Sequence, residues 1–200
     1  MISVMIVEDQ EMVRGALAAL LSTERDLEIA GTAPNGRVAL ELLSETPVDV
    51  LVTDIEMPEM NGLELCAAAR RKSAGLHVVI LTTFARAGYF QRAMGAGASA
   101  YLLKDSPATA LASAIRAAKT GQKVIDPELA AEAWSDPDPL THRERQVLRH
   151  AECGATTPEV AASMKLSEGT IRNYLSSAIG KLQARNRTEA AALARAKGWL

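Results

Sequence analysis

Three apolar runs in this chain stop at charged residues, and that recurrence restricts the fold more than any other feature. Ser3-Val4-Met5-Ile6-Val7 runs into Glu8-Asp9, the stretch from Val48 to Thr53 into Asp54, and Tyr101-Leu102-Leu103 into Lys104. A β-branched apolar run ending in a carboxylate reads as a buried parallel strand that delivers the carboxylate to the sheet's C-terminal edge. In doubly wound α/β sheets that edge, at the topological switch point, is where ligands and chemistry sit.

Up to about residue 120 strand and helix patterns alternate five times. Strands are expected at Ser3–Val7, Leu27–Thr32, Val48–Asp54, His77–Thr82 and Ser99–Leu103, with helices near Glu11–Ser22, Gly36–Ser44, Gly62–Lys72, Tyr89–Met94 and Ala108–Thr120. The last helix is expected to start with Ser106 as N-cap and Pro107 at its first position. Five such repeats predict an α/β domain over residues 1–120, a (βα)5 doubly wound parallel sheet in the order 2-1-3-4-5 with right-handed crossovers. Residues 121–138 read as a linker. A short helix is expected at Glu128–Trp134, and prolines at 137 and 139 then disfavour further helix.

Residues 139–200 are patterned as an all-α, four-helix domain. Thr141 and Glu144 form a capping box for a helix running to about Glu152. Gly154 supplies a left-handed turn, and Thr157-Pro158-Glu159 opens a short helix through Met164. Ser167 caps a third helix through about Leu182, and Asn186–Lys197 makes a fourth. Two short helices, a tight turn and a longer third helix are what a DNA-reading helix-turn-helix requires.

Charge separates the two parts. The net −2 combines ten Lys and Arg against five Glu after residue 138, or +5, with twelve bases against nineteen acids before it, or −7. An acidic module joined to a basic one fits a regulatory part and a polyanion-binding part. No apolar stretch approaches the ~20 residues of a membrane span, so membrane insertion is not expected. Cys66 and Cys153 make neither a disulfide framework nor a zinc site. The chain starts in a strand without a basic leader, and a cytoplasmic location is expected.

Glu8, Asp9 and Asp54 should converge at the ends of the first and third strands. Crowded carboxylates repel, so either one is protonated or a cation sits among them, and hard oxygen ligands favour Mg²⁺. A metal-held aspartate facing solvent can act as a nucleophile towards phosphorus and form an aspartyl phosphate. Lys104 offers an ammonium and Thr82 a hydroxyl to the charge on a transferring phosphoryl group.

Glu8-Asp9, Thr53-Asp54-Ile55-Glu56-Met57-Pro58 with Gly62, Leu81-Thr82 and Tyr101-Leu102-Leu103-Lys104 resemble the receiver domain of response regulators, the CheY-like fold. The resemblance implies Asp54 as phosphoacceptor, and Glu8, Asp9, Asp54 and the backbone carbonyl of Glu56 as Mg²⁺ ligands. It also implies Thr82 and Lys104 as phosphoryl contacts and Tyr101 as an aromatic switch that turns inward when Thr82 shifts. Asp105 stands where many receivers carry proline, which argues against a cis bond after Lys104, since without proline that bond costs ~3–4 kcal/mol.

Leu140-Thr141-x-Arg143-Glu144, Val147-Leu148, Glu159-Val160-Ala161 and Leu166-Ser167-Glu168-Gly169-Thr170-Ile171-Arg172-Asn173-Tyr174 are similar to the LuxR-type helix-turn-helix. With the receiver, they resemble the NarL/FixJ class of two-component transcriptional regulators. Ile171, Leu175 and Ile179 form an inward stripe that leaves Thr170, Arg172, Asn173 and Ser176 facing out for the major groove. Arg172 pairs a guanine edge or grips a phosphate, and Asn173 suits adenine. Lys181, Arg185 and Arg187 read as phosphate contacts. The Ala-rich fourth helix is a dimer face or an ordinary closing helix. Glu8-Asp9-Gln10 and the run Leu81–Ala93 are similar to the DesR-like branch, which implies a membrane sensor histidine kinase as partner.

The function expected is a regulator that Asp54 phosphorylation drives to homodimerise and bind DNA, with no small-molecule substrate and no enzymatic turnover beyond its own phosphotransfer. Two alternatives are a phosphohydrolase working through an aspartyl phosphate, and a DNA-binding regulator independent of phosphorylation. No cap insertion supports the first, and the intact acidic site argues against the second.

Overall fold

The computed structural model describes residues 1–83, 86–127, 129–130 and 138–200, in two compact units. The first is built on a parallel sheet of strands β1 (Ile2–Val7), β2 (Leu27–Ala33), β3 (Val50–Asp54), β4 (His77–Thr82), β5 (Ala100–Leu103) and β6 (Val124–Ile125), in the order 2-1-3-4-5-6. Helices α1 (Glu11–Leu21), α2 (Gly36–Glu45), α3 (Gly62–Lys72), α4 (Ala87–Gly95) and α5 (Ala108–Lys119) alternate with the strands. The expected (βα)5 doubly wound sheet is present. β3 is buried at every position, the burial of a strand covered on both faces. Val4, Ile6, Val52, Val79 and Leu102 pack with Leu111 and Ile115 of α5 in one core.

Two local expectations are corrected. The stretch expected as linker begins with a sixth strand: Val124 donates its N–H to the Ser99 carbonyl and Asp126 to that of Tyr101, both at close to 3 Å. Two residues are too few to show any hydrophobic period. Helix α5 starts one residue later than its Ser106-Pro107 signal, with Pro107 in the N-cap position at ψ 142 and no side-chain cap. The Ser106 hydroxyl instead donates to Asp126 Oδ2 at 3.3 Å. The expected helix at Glu128–Trp134 and the run 135–137 fall largely outside the described residues. Among the described residues no peptide bond is cis, as Asp105 led one to expect.

Register brings the site together. Val7 pairs with Thr53, and Asp54 with Leu81. Thr82 pairs with Leu103, and the Lys104 N–H donates to the Thr82 carbonyl at 2.8 Å. Glu8, Asp54, Thr82 and Lys104 therefore share one end of four adjacent strands.

The second unit holds α6 (His142–Glu152), α7 (Thr157–Met164), α8 (Glu168–Lys181) and α9 (Arg187–Ala196). The capping signals operate as read: Thr141 and Glu144 close a capping box, and the Ser167 and Asn186 side chains accept from the N–H groups of Thr170 and Glu189. Lys165 takes φ 54 in the α7–α8 turn and Gly154 φ 80 after α6. The buried stripe of α8 runs Ile171, Leu175, Ala178, with Ile179 only half-buried. A helix advances about 100° per residue, so the second return to the core falls between 178 and 179, and the smaller residue occupies the closer contact.

Gly62 shows how tightly the loop after β3 closes. A Cβ at this first residue of α3 would lie 1.8 Å from the Asp54 carbonyl oxygen, and the Gly62 N–H donates to the Ile55 carbonyl at 2.9 Å. Replacing Gly62 with Ala is expected to lower receiver stability by about 3 kcal/mol, the upper end for overpacking. The drop is read from the urea midpoint followed by circular dichroism; an unchanged midpoint would contradict this packing.

Candidate functional site at the sheet edge and the helix-turn-helix

At the sheet edge Glu8 is 1% exposed and Asp54 7%, while Asp9 faces solvent. One carboxylate oxygen from each of the three lies within 4.8 Å of the others. Lys104 Nζ donates to Glu8 Oε2 at 2.7 Å and stands 3.0 Å from Asp54 Oδ2. Gln10 N–H donates to Glu8 Oε1, and Arg14 caps the Glu8 backbone carbonyl at 2.6 Å.

The electrostatics are unbalanced. Burial pushes the Glu8 carboxyl up, more than the hydrogen bond from Lys104 pulls it down. Burial also raises Asp54, against the same ammonium. For Lys104 burial opposes the charged form, yet its bonds to Glu8 and Asp54 outweigh that and raise it overall. One ammonium among three carboxylates leaves two negative charges over, at a place where two of the side chains are screened from water.

Thr82 is buried at the end of β4, 2% exposed. Tyr101, expected to turn inward upon a shift at Thr82, is already fully buried in this structure. Its ring meets Phe90 of α4 edge-on, centroids 5.7 Å apart. Glu56 is exposed in the loop after β3.

The sequence reading missed the fastening of this loop. Glu59, at φ 63, accepts from Asn35 Nδ2 at 3.0 Å and from Arg37 Nε at 2.5 Å. Asn35 itself caps α2. These bonds tie the β2–α2 loop to the loop after Asp54, and only Asn35 carries a local signal, that of an N-cap.

In the second unit Arg172, Asn173 and Ser176 are exposed on α8 and Thr170 is half-buried at its start. Arg172 pairs with Glu168 and Arg185 with Glu189, both one turn apart with the arginine side chains 66% and 85% exposed. Such pairs contribute little and open readily towards another anion. Arg187 donates to the Ala155 carbonyl at 3.1 Å. Lys181, expected to grip phosphate, donates to Glu144 Oε2 at 2.8 Å. Burial works against the charge on Glu144, but the donors from Lys181, Ser177 and Thr141 prevail and hold its carboxyl down at about 2.

Two family models match. Residues 4–116 fit the response regulator receiver domain, and residues 138–194 the luxR family of bacterial regulatory proteins. The chain belongs to the response regulators. It is 46% identical over 199 residues to the transcriptional regulatory protein DesR of Bacillus subtilis (strain 168), spanning all of this chain and 99% of that one. It is 48% identical over 200 residues, the full length of both, to YvfU of the same organism, an uncharacterised transcriptional regulatory protein. The crystal structure of the response regulator ChrA, of a heme-sensing two-component system, is 33% identical with a TM-score of 0.58, covering 100% of this chain and 98% of that one.

This response regulator thus joins a receiver to a LuxR-type DNA-binding domain, and its relatives are transcriptional regulators of two-component systems. Among the described residues no helix is long and apolar enough to cross a membrane.

The buried charge on Asp54 should weigh on receiver stability. A carboxyl raised by folding lends stability below its ordinary value of 3.8, and that stability is lost as pH climbs through the folded value. Asp54→Asn removes the cost, so the variant is expected to be more stable than wild type at pH 7 by about 0.5–2 kcal/mol. The gain should vanish below pH 3.8. Urea melts across that range check it, and a gain independent of pH would contradict it.

Proposed function

We propose that Asp54 accepts a phosphoryl group from a sensor histidine kinase, that Glu8, Asp9, Asp54 and the backbone carbonyl of Glu56 hold Mg²⁺ for this step, and that the modified chain dimerises and binds DNA. The observation that carries the proposal is the meeting of Glu8, Asp9, Asp54 and Lys104 at one strand edge, with an excess of two negative charges. A divalent ion with oxygen ligands matches that excess in charge and chemistry.

Asp54 Oδ attacks phosphorus while the bond from phosphorus to the donor's imidazole nitrogen breaks, and the donor retains that electron pair. Mg²⁺, when bound, neutralises charge on the reacting oxygens. Lys104 Nζ exchanges its bond to Asp54 Oδ2 for one to a phosphoryl oxygen, and the Thr82 hydroxyl donates to another. The added charge of about −1.5 to −2 units draws Thr82 and Lys104 inward, and the shift at Thr82 passes through Tyr101 to the α4–β5 face. The receiver carries out this transfer and the hydrolysis of its own aspartyl phosphate, in which water attacks phosphorus and the Asp54 carboxylate leaves, and no other turnover.

On DNA, Thr170, Arg172, Asn173 and Ser176 address base edges while Arg185 and Arg187 grip phosphates. By likeness to the DesR branch the donor is a membrane-embedded kinase, and the chain itself acts in the cytoplasm.

Mg²⁺ with a small phosphodonor is expected to dimerise the wild type and to tighten its binding to promoter DNA at least tenfold. Asp54→Ala should respond to neither. Light scattering and electrophoretic mobility shifts read the two effects, and equal binding by both proteins regardless of donor would sink phosphorylation control.

A further inference from the structure

Lys181 stands where the basic C-terminal end of α8 would be expected to meet a phosphate, yet its ammonium is held by another side chain of the same unit. Its Nζ donates to Glu144 Oε2 at 2.8 Å, and four residues earlier the Ser177 hydroxyl donates to Glu144 Oε1 at 2.6 Å. The Thr141 N–H adds a third bond, to Oε2, at 2.6 Å. The Glu144 side chain is 4% exposed and that of Lys181 34%. A single buried carboxylate at the start of α6 therefore holds α8 at two points one turn apart.

We propose that Glu144 is a positioning residue for DNA recognition: through Ser177 and Lys181 it sets the rotation of α8 about its axis, and Lys181 serves this carboxylate rather than a DNA phosphate. The proposal rests on the DNA-binding reading above and adds what orients the reading helix. Two contacts at i and i+4 lie on one face of a helix, so together they hold that face towards the carboxylate. Base-edge hydrogen bonds need their donors held within about 10–20°. Arg172, Asn173 and Ser176 are exposed on α8. Any roll released at Ser177 and Lys181 reaches them directly, because the helix is rigid over so short a distance. Drawing Lys181 away to a phosphate would strip a buried carboxylate of its only charged donor among the bonds above, which costs more than one solvent-screened phosphate contact returns.

The test uses the full chain with Mg²⁺ and a small phosphodonor, and two probes: a pool of random-sequence duplexes, and a duplex that the wild type enriches from that pool. Arg185→Gln, which frees an exposed pair, provides the comparison and should flatten the salt dependence of binding to the pool by about one unit of slope. Lys181→Gln should leave that slope unchanged and lower the preference for the enriched duplex at least tenfold. Glu144→Gln should do the same, with helicity by circular dichroism retained. Should Glu144→Gln unfold the second unit, Ser177→Ala carries the test, since it removes one donor from an exposed position. A slope reduced by one in Lys181→Gln with preference intact would overturn the proposal, as would full preference in Glu144→Gln or Ser177→Ala. A wild type without preference for any duplex would sink the sequence-specific reading and the proposal together, which separates that failure from one confined to the variants.

Discussion

Like charges crowded at the end of a sheet must be held together by something, and in the receiver that is first of all the Lys104 ammonium. It reaches Glu8 and Asp54 at once, at 2.7 and 3.0 Å, across strands that lie far apart in sequence. The neutralisation is incomplete, because burial still raises both carboxyls. The sheet spends stability to keep an incompletely neutralised site at an edge where Asp9 is open to solvent. Such a site suits the cation and the phosphoryl chemistry proposed for it. Gly62, the Glu59 bonds and the capping of the Glu8 carbonyl by Arg14 are the framework that makes the arrangement rigid enough to be used.

The same physical device recurs in the second unit with the balance reversed. Glu144 is as buried as Asp54, but it is fully served by donors, and its carboxyl is held down at about 2 instead of being raised. A buried carboxylate that is satisfied acts as a fastener, whereas one left short of donors acts as a reactive centre. The contrast follows from the count and direction of donors together with the shallower surroundings of Glu144.

Much of this was legible in the sequence, because the signals were periodic or punctuated. Buried parallel strands ending in Glu8, Asp54 and Lys104 read correctly since apolar runs that stop at charges are visible one residue at a time. The helix ends at Thr141, Ser167 and Asn186 read correctly since a cap is a local hydrogen bond. What stayed hidden was of two kinds. β6 is two residues long and borrows its identity from a neighbour, so no pattern betrays it. Arg37 and Asn35 on Glu59, and Ser177 and Lys181 on Glu144, are bonds between elements, and a side chain's local sequence does not say which distant partner it meets. Lys181 is the instructive case: a basic residue at the end of such a helix invites a phosphate, and nothing in its local sequence shows the glutamate 37 residues away that it meets in the folded chain. The ring contact between Tyr101 and Phe90 is of the same kind, made between two elements.

The central claim is that Asp54 is the phosphoacceptor of a cation-dependent site. Peptide mapping by mass spectrometry after exposure to a small phosphodonor tests it most directly, with and without Mg²⁺ and in wild type and Asp9→Ala. The account predicts one phosphoryl group, on the peptide containing Asp54, formed only with Mg²⁺ and strongly diminished in Asp9→Ala. A phosphoryl group on another residue, or equal labelling of Asp54 without any divalent ion, would contradict it.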